Sequence, residues 1–292
     1  MTIGSLLHGG FRLIRERPGA MLIWTLIQLA VAIASSFGAM WILQGSVDAM
    51  LGGASQETVQ LNAALQYLLL GMAGLVVSTI LYAAVQRAVL RPDEGGPGWL
   101  KLGMDEVRLF LVFLLCLLIF LVSLLVVGLF LGAILARAGP GAAVIGIYVV
   151  GGIAGALFGT KVSLIFPLTL KRGAFAIGEG TSLTRGHFWT LLGTYLIIFL
   201  ILLILGIVNV AVTQPEYLSA VFQYGFGSEE VQQASLLETQ KLISGTIDAP
   251  VIIGWLLTAI EGAIGCALWG GVAATAVQQL TADEPGLSET FS

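Results

Sequence analysis

The sequence predicts an all-α integral membrane protein with six transmembrane helices, and three observations predict it. The 292 residues are 57% hydrophobic and only 10% charged, with mean hydropathy +0.97. Soluble domains carry about 25% charged residues, so this chain has too few to cover a water-facing surface. Six apolar runs each supply the roughly 20 residues that a crossing of the hydrocarbon core needs. Lys and Arg alternate between successive connections. A backbone inside lipid must satisfy its own hydrogen bonds, so the runs are helices.

The elements follow in order. Residues 3–17, IGSLLHGGFRLIRER, set Ile3, Leu6, Leu7, Phe11 and Ile14 at helical spacing, with His8, Arg12 and Arg15 on another face. The first span covers 20–43. Arg12, Arg15 and Arg17 before an apolar stretch, with Ala32-Ile33-Ala34 beyond, have the layout of a cleaved leader. The run continues through Leu43, long enough for a full span, so it is read as retained. The second span covers 63–86. Residues 99–108, WLKLGMDEVR, group Trp99, Leu100, Gly103, Met104 and Val107 opposite Lys101, Asp105 and Arg108. The third span, 109–135, has no charge over 27 residues. The fourth, 142–166, carries Lys161 and ends at a break by Pro167. Residues 174–185 form a weaker amphipathic stretch before the fifth span, 189–212.

In the connection 213–250, Ser228 is placed to cap a helix with Glu229 and Glu230 in its first turn, Lys241 in its last and Gly245 just beyond. Thr213-Gln-Pro-Glu216 fits a capping box. Two short helices are predicted there, read as a surface connector, with a lid over a cavity as the functional alternative. The sixth span, 251–277, holds one charge, Glu261.

Charge sets the orientation. Arg12, Arg15 and Arg17 precede the first span. Arg87, Arg91, Lys101 and Arg108 lie between the second and third, and Lys171, Arg172 and Arg185 between the fourth and fifth. The opposite connections hold only Arg137 and Lys241, with Asp48, Glu57, Glu216, Glu229, Glu230, Glu238 and Asp248. Ten against two places both termini in the cytoplasm. The basic stretches read as interfacial helices that anchor the chain to membrane lipids, with headgroup recognition by the ten cations as the functional reading.

Each such stretch precedes a pair of spans, which suggests three repeats of interfacial helix plus two spans, over 1–97, 98–173 and 174–292, within a single polytopic domain. Ala83-Ala84, Leu90 and Asp93-Glu94 align loosely with Ala273-Ala274, Leu280 and Asp283-Glu284. Small residues recur at i, i+4 as Gly151, Gly155 and Gly159, and as Gly262, Cys266, Gly270 and Ala274. Such stripes let membrane helices approach closely. Cys116 and Cys266 sit in apolar runs and read as packing residues, neither a disulfide framework nor a zinc site.

Chemistry is sparse. His8 and His187 are the only histidines, which excludes a His-rich metal site, and no nucleotide-binding glycine motif or basic nucleic-acid footprint is present. No connection is long enough for a separate catalytic domain. The candidate site residues inside spans are Glu261, Lys161, Gln28, Tyr148 and Asn209, and Glu261 near the bilayer centre is expected to face the bundle interior or to stay protonated by desolvation. No cofactor is expected.

The layout resembles the bacterial "glycerophosphoryl diester phosphodiesterase membrane domain" family. The similarity is carried by FRLIRERPG before the first span, KRGAFAIGEG after the fourth and TRGHFWTLLGTYL into the fifth. It implies a six-span membrane region and gives this chain no activity, because the soluble phosphodiesterase domain that accompanies it in some relatives does not fit the short connections here. The expected function is a non-catalytic scaffold, assembly factor or modulator in the bacterial cytoplasmic membrane, with lipids, a membrane protein or a second copy as partner. The alternative is a small transporter or lipid-handling protein with its site near Glu261. An intramembrane lipid-acting enzyme is the third and weakest class.

Overall fold

The computed structural model describes residues 1–135, 140–225 and 228–282. Arg137, the tail with Asp283 and Glu284, and the side chains of 130–135, 140–145, 147, 148 and 242 lie outside that description. The chain is all-helical, with no strand among the described residues. Six helices are long and apolar enough to cross a membrane: Pro18–Leu51, Gln56–Leu90, Met104–Leu129, Val149–Arg172, Ile177–Thr213 and Ala249–Leu280. The protein is a multi-pass membrane protein by that measure. Helix α2 (Pro18–Leu51) has 34 residues, about 51 Å at 1.5 Å per residue, so it overruns a ~30 Å hydrocarbon core.

Contacts divide the chain into two compact units. One comprises Met1–Pro18, Thr79–Ile198 and Cys266–Ser292; the other Gly19–Ser78 and Phe199–Gly265. Neither unit coincides with the thirds 1–97, 98–173 and 174–292.

In the first unit, α1 (Ile3–Glu16) opens with a capping box. Thr2 Oγ1 accepts from Ser5 N at 3.2 Å, and Ser5 Oγ accepts from Thr2 N at 3.1 Å. Pro18 then opens α2, its missing N–H being an orphan at that position anyway. The buried face of α1 is Leu6, Gly9, Gly10 and Leu13, while Ile3 and Phe11 stay exposed. The glycines explain the difference from the predicted face. A Cβ at Gly10 would sit 3.4 Å from Leu268 Cα, and one at Gly9 would collide with Thr275, so α1 lies hard against α10 (Ala249–Leu280).

Helix α3 (Gln56–Leu90) leads to a 3-10 turn at Pro97–Trp99, and α4 (Met104–Leu135) follows. Residues 100–103 are not helical. The helix expected over 99–108 therefore does not form as a separate element: its polar half became the first turn of α4, where Asp105 and Glu106 favour a helix N-terminus. Helix α5 (Pro140–Val162) ends before Pro167, and α6 (Ile165–Arg172) restarts the chain. Pro167 has no N–H to give to the carbonyl of Ser163, which places the break there. Gly173 closes α6 in the left-handed conformation, φ 63°. Helix α7 (Ile177–Thr213) carries a kink at His187, φ −128°, which sets its arm 177–186 apart from the span. A Cβ at Gly180 in that arm would sit 2.7 Å from Ile165 Cα.

In the second unit, α2 and the first part of α3 form a hairpin turned at Gly53, φ 83°. Residues 214–248 fold into α8 (Pro215–Tyr224) and α9 (Glu229–Ile243), the two short helices expected. Ser228 Oγ caps α9 by accepting from Val231 N at 3.3 Å. The predicted capping box at Thr213 is absent. Thr213 is the last residue of α7 and donates to Asn209 O at 2.8 Å, while Gln214, the actual N-cap of α8, makes no side-chain cap bond.

Candidate functional site

The second unit holds a cleft of about 770 Å³ between the connector and the helices below it. Its rim carries Glu216, Glu238, Lys241 and Asp248, and its walls include Phe37 and Trp255. Asp248 accepts from Val251 N at 3.2 Å and so caps α10. Lys241 pairs with Glu238 at 2.9 Å. That hydrogen bond, then the charges of Glu238, Glu216 and Asp248, hold the Lys241 ammonium protonated above its usual range. The Trp255 indole donates to Ser36 Oγ at 2.9 Å, and its ring centroid lies 6.1 Å from that of Phe37.

At the floor, Asn209 Nδ2 on α7 donates to Thr258 Oγ1 on α10 at 3.1 Å. One helical turn deeper on the same two helices, Glu261 lies against bare backbone. Its Oε1 is 3.3 Å from the position a Gly206 Cβ would take. Beside it, the Gln28 amide fills the space at Gly262, within 3.1–3.3 Å of a Cβ built there. Gln28, Asn209 and Glu261 are thus gathered within about a turn of one another along α2, α7 and α10. Lys161 is not among them: it stands exposed on α5 in the first unit, and Glu261 forms no ion pair among the described residues. The Tyr148 side chain lies outside the described residues.

The glycine stripes are unequal. At Gly270 a Cβ would meet Val85 Cγ1 at 2.7 Å and Tyr82 Cδ2 at 3.3 Å, so this face is closely packed. Half-buried Cys266 lies on the same stripe. Gly151 and Gly155 face Leu124 and Phe120 on α4 at 3.3 and 3.5 Å, and Gly159 faces open space. Gly271 meets Gly10 Cα at 3.1 Å, an approach the four-residue pattern does not contain.

The basic residues on the first unit separate into two groups. Arg87 is 1% exposed and does not face headgroups. Its Nη2 donates to Glu106, and its Nη1 donates to Trp99 O at 2.7 Å. Glu106 also accepts from Gly103 N at 2.9 Å, the reciprocal half of a capping box on α4. Sequence reasoning missed Glu106. Its one signal in the sequence was its place three residues after a helix-starting glycine.

Arg91 bridges Asp105 at 3.1 Å, Glu94 at 3.4 Å and the carbonyl of Leu170. Arg108 joins Asp105 at 3.1 Å, and Lys101 joins Glu94 at 3.0 Å. The Lys101 bond, aided by Arg91, holds the Glu94 carboxyl below its usual range. Arg172 pairs with Glu179 at 2.6 Å, and Lys171 donates to Thr281. Arg17 stacks over Trp99 at 4.7 Å. Trp99 itself holds φ 54°, unusual for a bulky residue, tied by its indole to Pro92 O at 3.3 Å and by its carbonyl to Arg87. Arg12 makes only a loose exposed contact with Glu16 at 3.8 Å. Arg15 and Arg185 point outward without an ion pair among the described residues. No metal-binding group of His, Cys, Asp and Glu occurs among the described residues.

No family model, curated protein or solved structure matches the chain.

Proposed function

We propose that the chain is a non-catalytic component of the bacterial cytoplasmic membrane, a scaffold, assembly factor or modulator that works by binding a partner. The observation that carries this is the cleft beside α8 and α9: fixed helices hold a charged rim, an aromatic wall and a hydrogen-bonded floor. Sites of this kind recognise through shape and a few placed polar groups.

In this reading both termini and the segments 87–108 and 171–188 are cytoplasmic, as the ten-to-two Lys and Arg distribution demands. The cleft then opens outward, and α8 and α9 form its lid. Arg12, Arg15 and Arg185 are the cations left to meet anionic headgroups. The amphipathic α1 and the arm of α7 support interfacial elements in two of the three sequence segments; the repeat and the membership of the six-span family named above rest on sequence alone.

A second reading, a small transporter or lipid-handling protein, is favoured by Glu261 one turn below the cleft floor. Purification from native membranes in mild detergent, followed by protein and lipid mass spectrometry, separates the two. A stoichiometric protein partner is expected. Enrichment of one phospholipid class with no such partner would instead support lipid handling.

A further inference from the structure

The volume of the cleft falls within the ~300–1,000 Å³ of small-molecule sites. Depth follows from helix geometry. Asp248 at the rim and Thr258 at the floor are ten residues apart along the start of α10, about 15 Å at 1.5 Å per residue. A ligand can therefore place one end among the rim charges and another among polar floor groups.

The charge balance is one-sided. Glu216, Glu238 and Asp248 supply three negative charges and Lys241 one positive, a net of minus two. Glu238 is occupied by Lys241, and Asp248 is turned partly to its helix cap. Glu216 makes no ion pair among the described residues. The hydrogen bond to Glu238 first, and then the charges of Glu238, Glu216 and Asp248, favour the protonated form of Lys241. Below the rim, the Phe37 and Trp255 rings line the cleft, and aromatic rings favour an organic cation over an anion. At the floor, Asn209 spends its amide N–H₂ on Thr258, which leaves its carbonyl oxygen as an acceptor.

We propose that this cleft binds a small organic cation, an amine or quaternary ammonium carried on an apolar body, with Glu216 and Asp248 as counter-charges and Phe37 and Trp255 as the wall. The assignment rests on the cleft being the binding site of the protein and adds the chemistry of what enters it.

The test is calorimetric titration of the purified full-length protein in uncharged detergent with benzyltrimethylammonium, and with benzoate and benzyl alcohol as anionic and neutral analogues. Saturable binding of the cation is expected, at least tenfold tighter than of either analogue. Glu216→Gln combined with Asp248→Asn should weaken it at least tenfold, since Asn keeps an acceptor for the helix cap. Trp255→Leu should weaken it severalfold. Lys241→Gln should tighten it severalfold by removing the competing cation, and this exposed substitution decides the matter if the double variant does not fold. Equal binding of benzoate or benzyl alcohol, no binding of the cation, or indifference to Lys241→Gln would overturn the assignment. A protein partner captured from membranes by protein that ignores the cation would retain the binding role and remove only this ligand class.

Discussion

Arg87 and Glu106 show what a charge does when it is carried out of water. Each is buried, and each has a second bond to backbone, Arg87 to Trp99 O and Glu106 to Gly103 N. Removing one partner of a buried pair leaves the other uncompensated and costs about 3–5 kcal/mol. Glu106→Ala should therefore destabilise the protein by about that amount in unfolding from mixed SDS micelles. The double variant Arg87→Met with Glu106→Leu should lose less than the single Glu106→Ala. A single variant as stable as the parent would mean that the pair carries no weight. Glu261 is the contrasting residue, a half-buried carboxyl group with no ion pair among the described residues. Glu261→Gln keeps its shape and hydrogen bonding, so it should melt within a few degrees of the parent. A large fall in melting temperature would assign the charge itself a structural role. Loss of function at unchanged stability would move the balance toward solute handling.

Between elements, the distance from a glycine to its neighbour sorts the small-residue stripes. Leucine at Gly270 must displace Val85 and Tyr82, whereas at Gly155 it meets only the edge of the Phe120 ring, and at Gly74 nothing lies within 4 Å. Overpacking costs about 1–3 kcal/mol. The expected order of destabilisation is Gly270→Leu, then Gly155→Leu, then Gly74→Leu, read as detergent melting temperatures. Equal values at Gly270 and Gly74 would contradict the packing of α3 on α10. The arm of α7 gives a finer pair. Gly180→Ala drives a Cβ into the backbone of Ile165, while Gly178→Ala enters open space. Only the first should destabilise, and a parent-like melt for Gly180→Ala would detach that arm from α6.

At the scale of the whole molecule, topology is the property on which every depth argument depends. In a background lacking Cys116 and Cys266, single cysteines at exposed Ala54 and Leu236 are expected to react with an impermeant maleimide in intact cells. Cysteines at Gly4 and Leu102 are expected to react only after permeabilisation. The reverse pattern would invert the orientation and put the cleft on the cytoplasmic side. The paired cations on the first unit matter here too. Arg91, Lys101, Arg108 and Arg172 are held in ion pairs, so they still count in the Lys and Arg bias of the sequence, while fewer are free to hold headgroups.

The six helices, their order and the two connector helices were legible in the sequence because lipid acts as a one-dimensional constraint. Run length, charge content and cap residues such as Ser228 are local quantities, and the bilayer penalises any backbone that departs from them. Gln28, Asn209 and Glu261 were each plain in the sequence as polar residues inside apolar runs, where lipid makes them costly. Other features are set by pairs far apart in the chain. Whether Gly9 and Gly10 face lipid or α10 depends on Gly271 and Thr275, more than 260 residues away. Whether Arg87 meets a headgroup or a carboxylate depends on where α4 begins, and that start was mistaken for a separate helix. The cleft follows the same rule. Its acidic residues were plain in the sequence as a charged connection, but their convergence on Phe37 and Trp255 belongs to the tertiary structure, because only the packed helices decide which distant side chains share one volume.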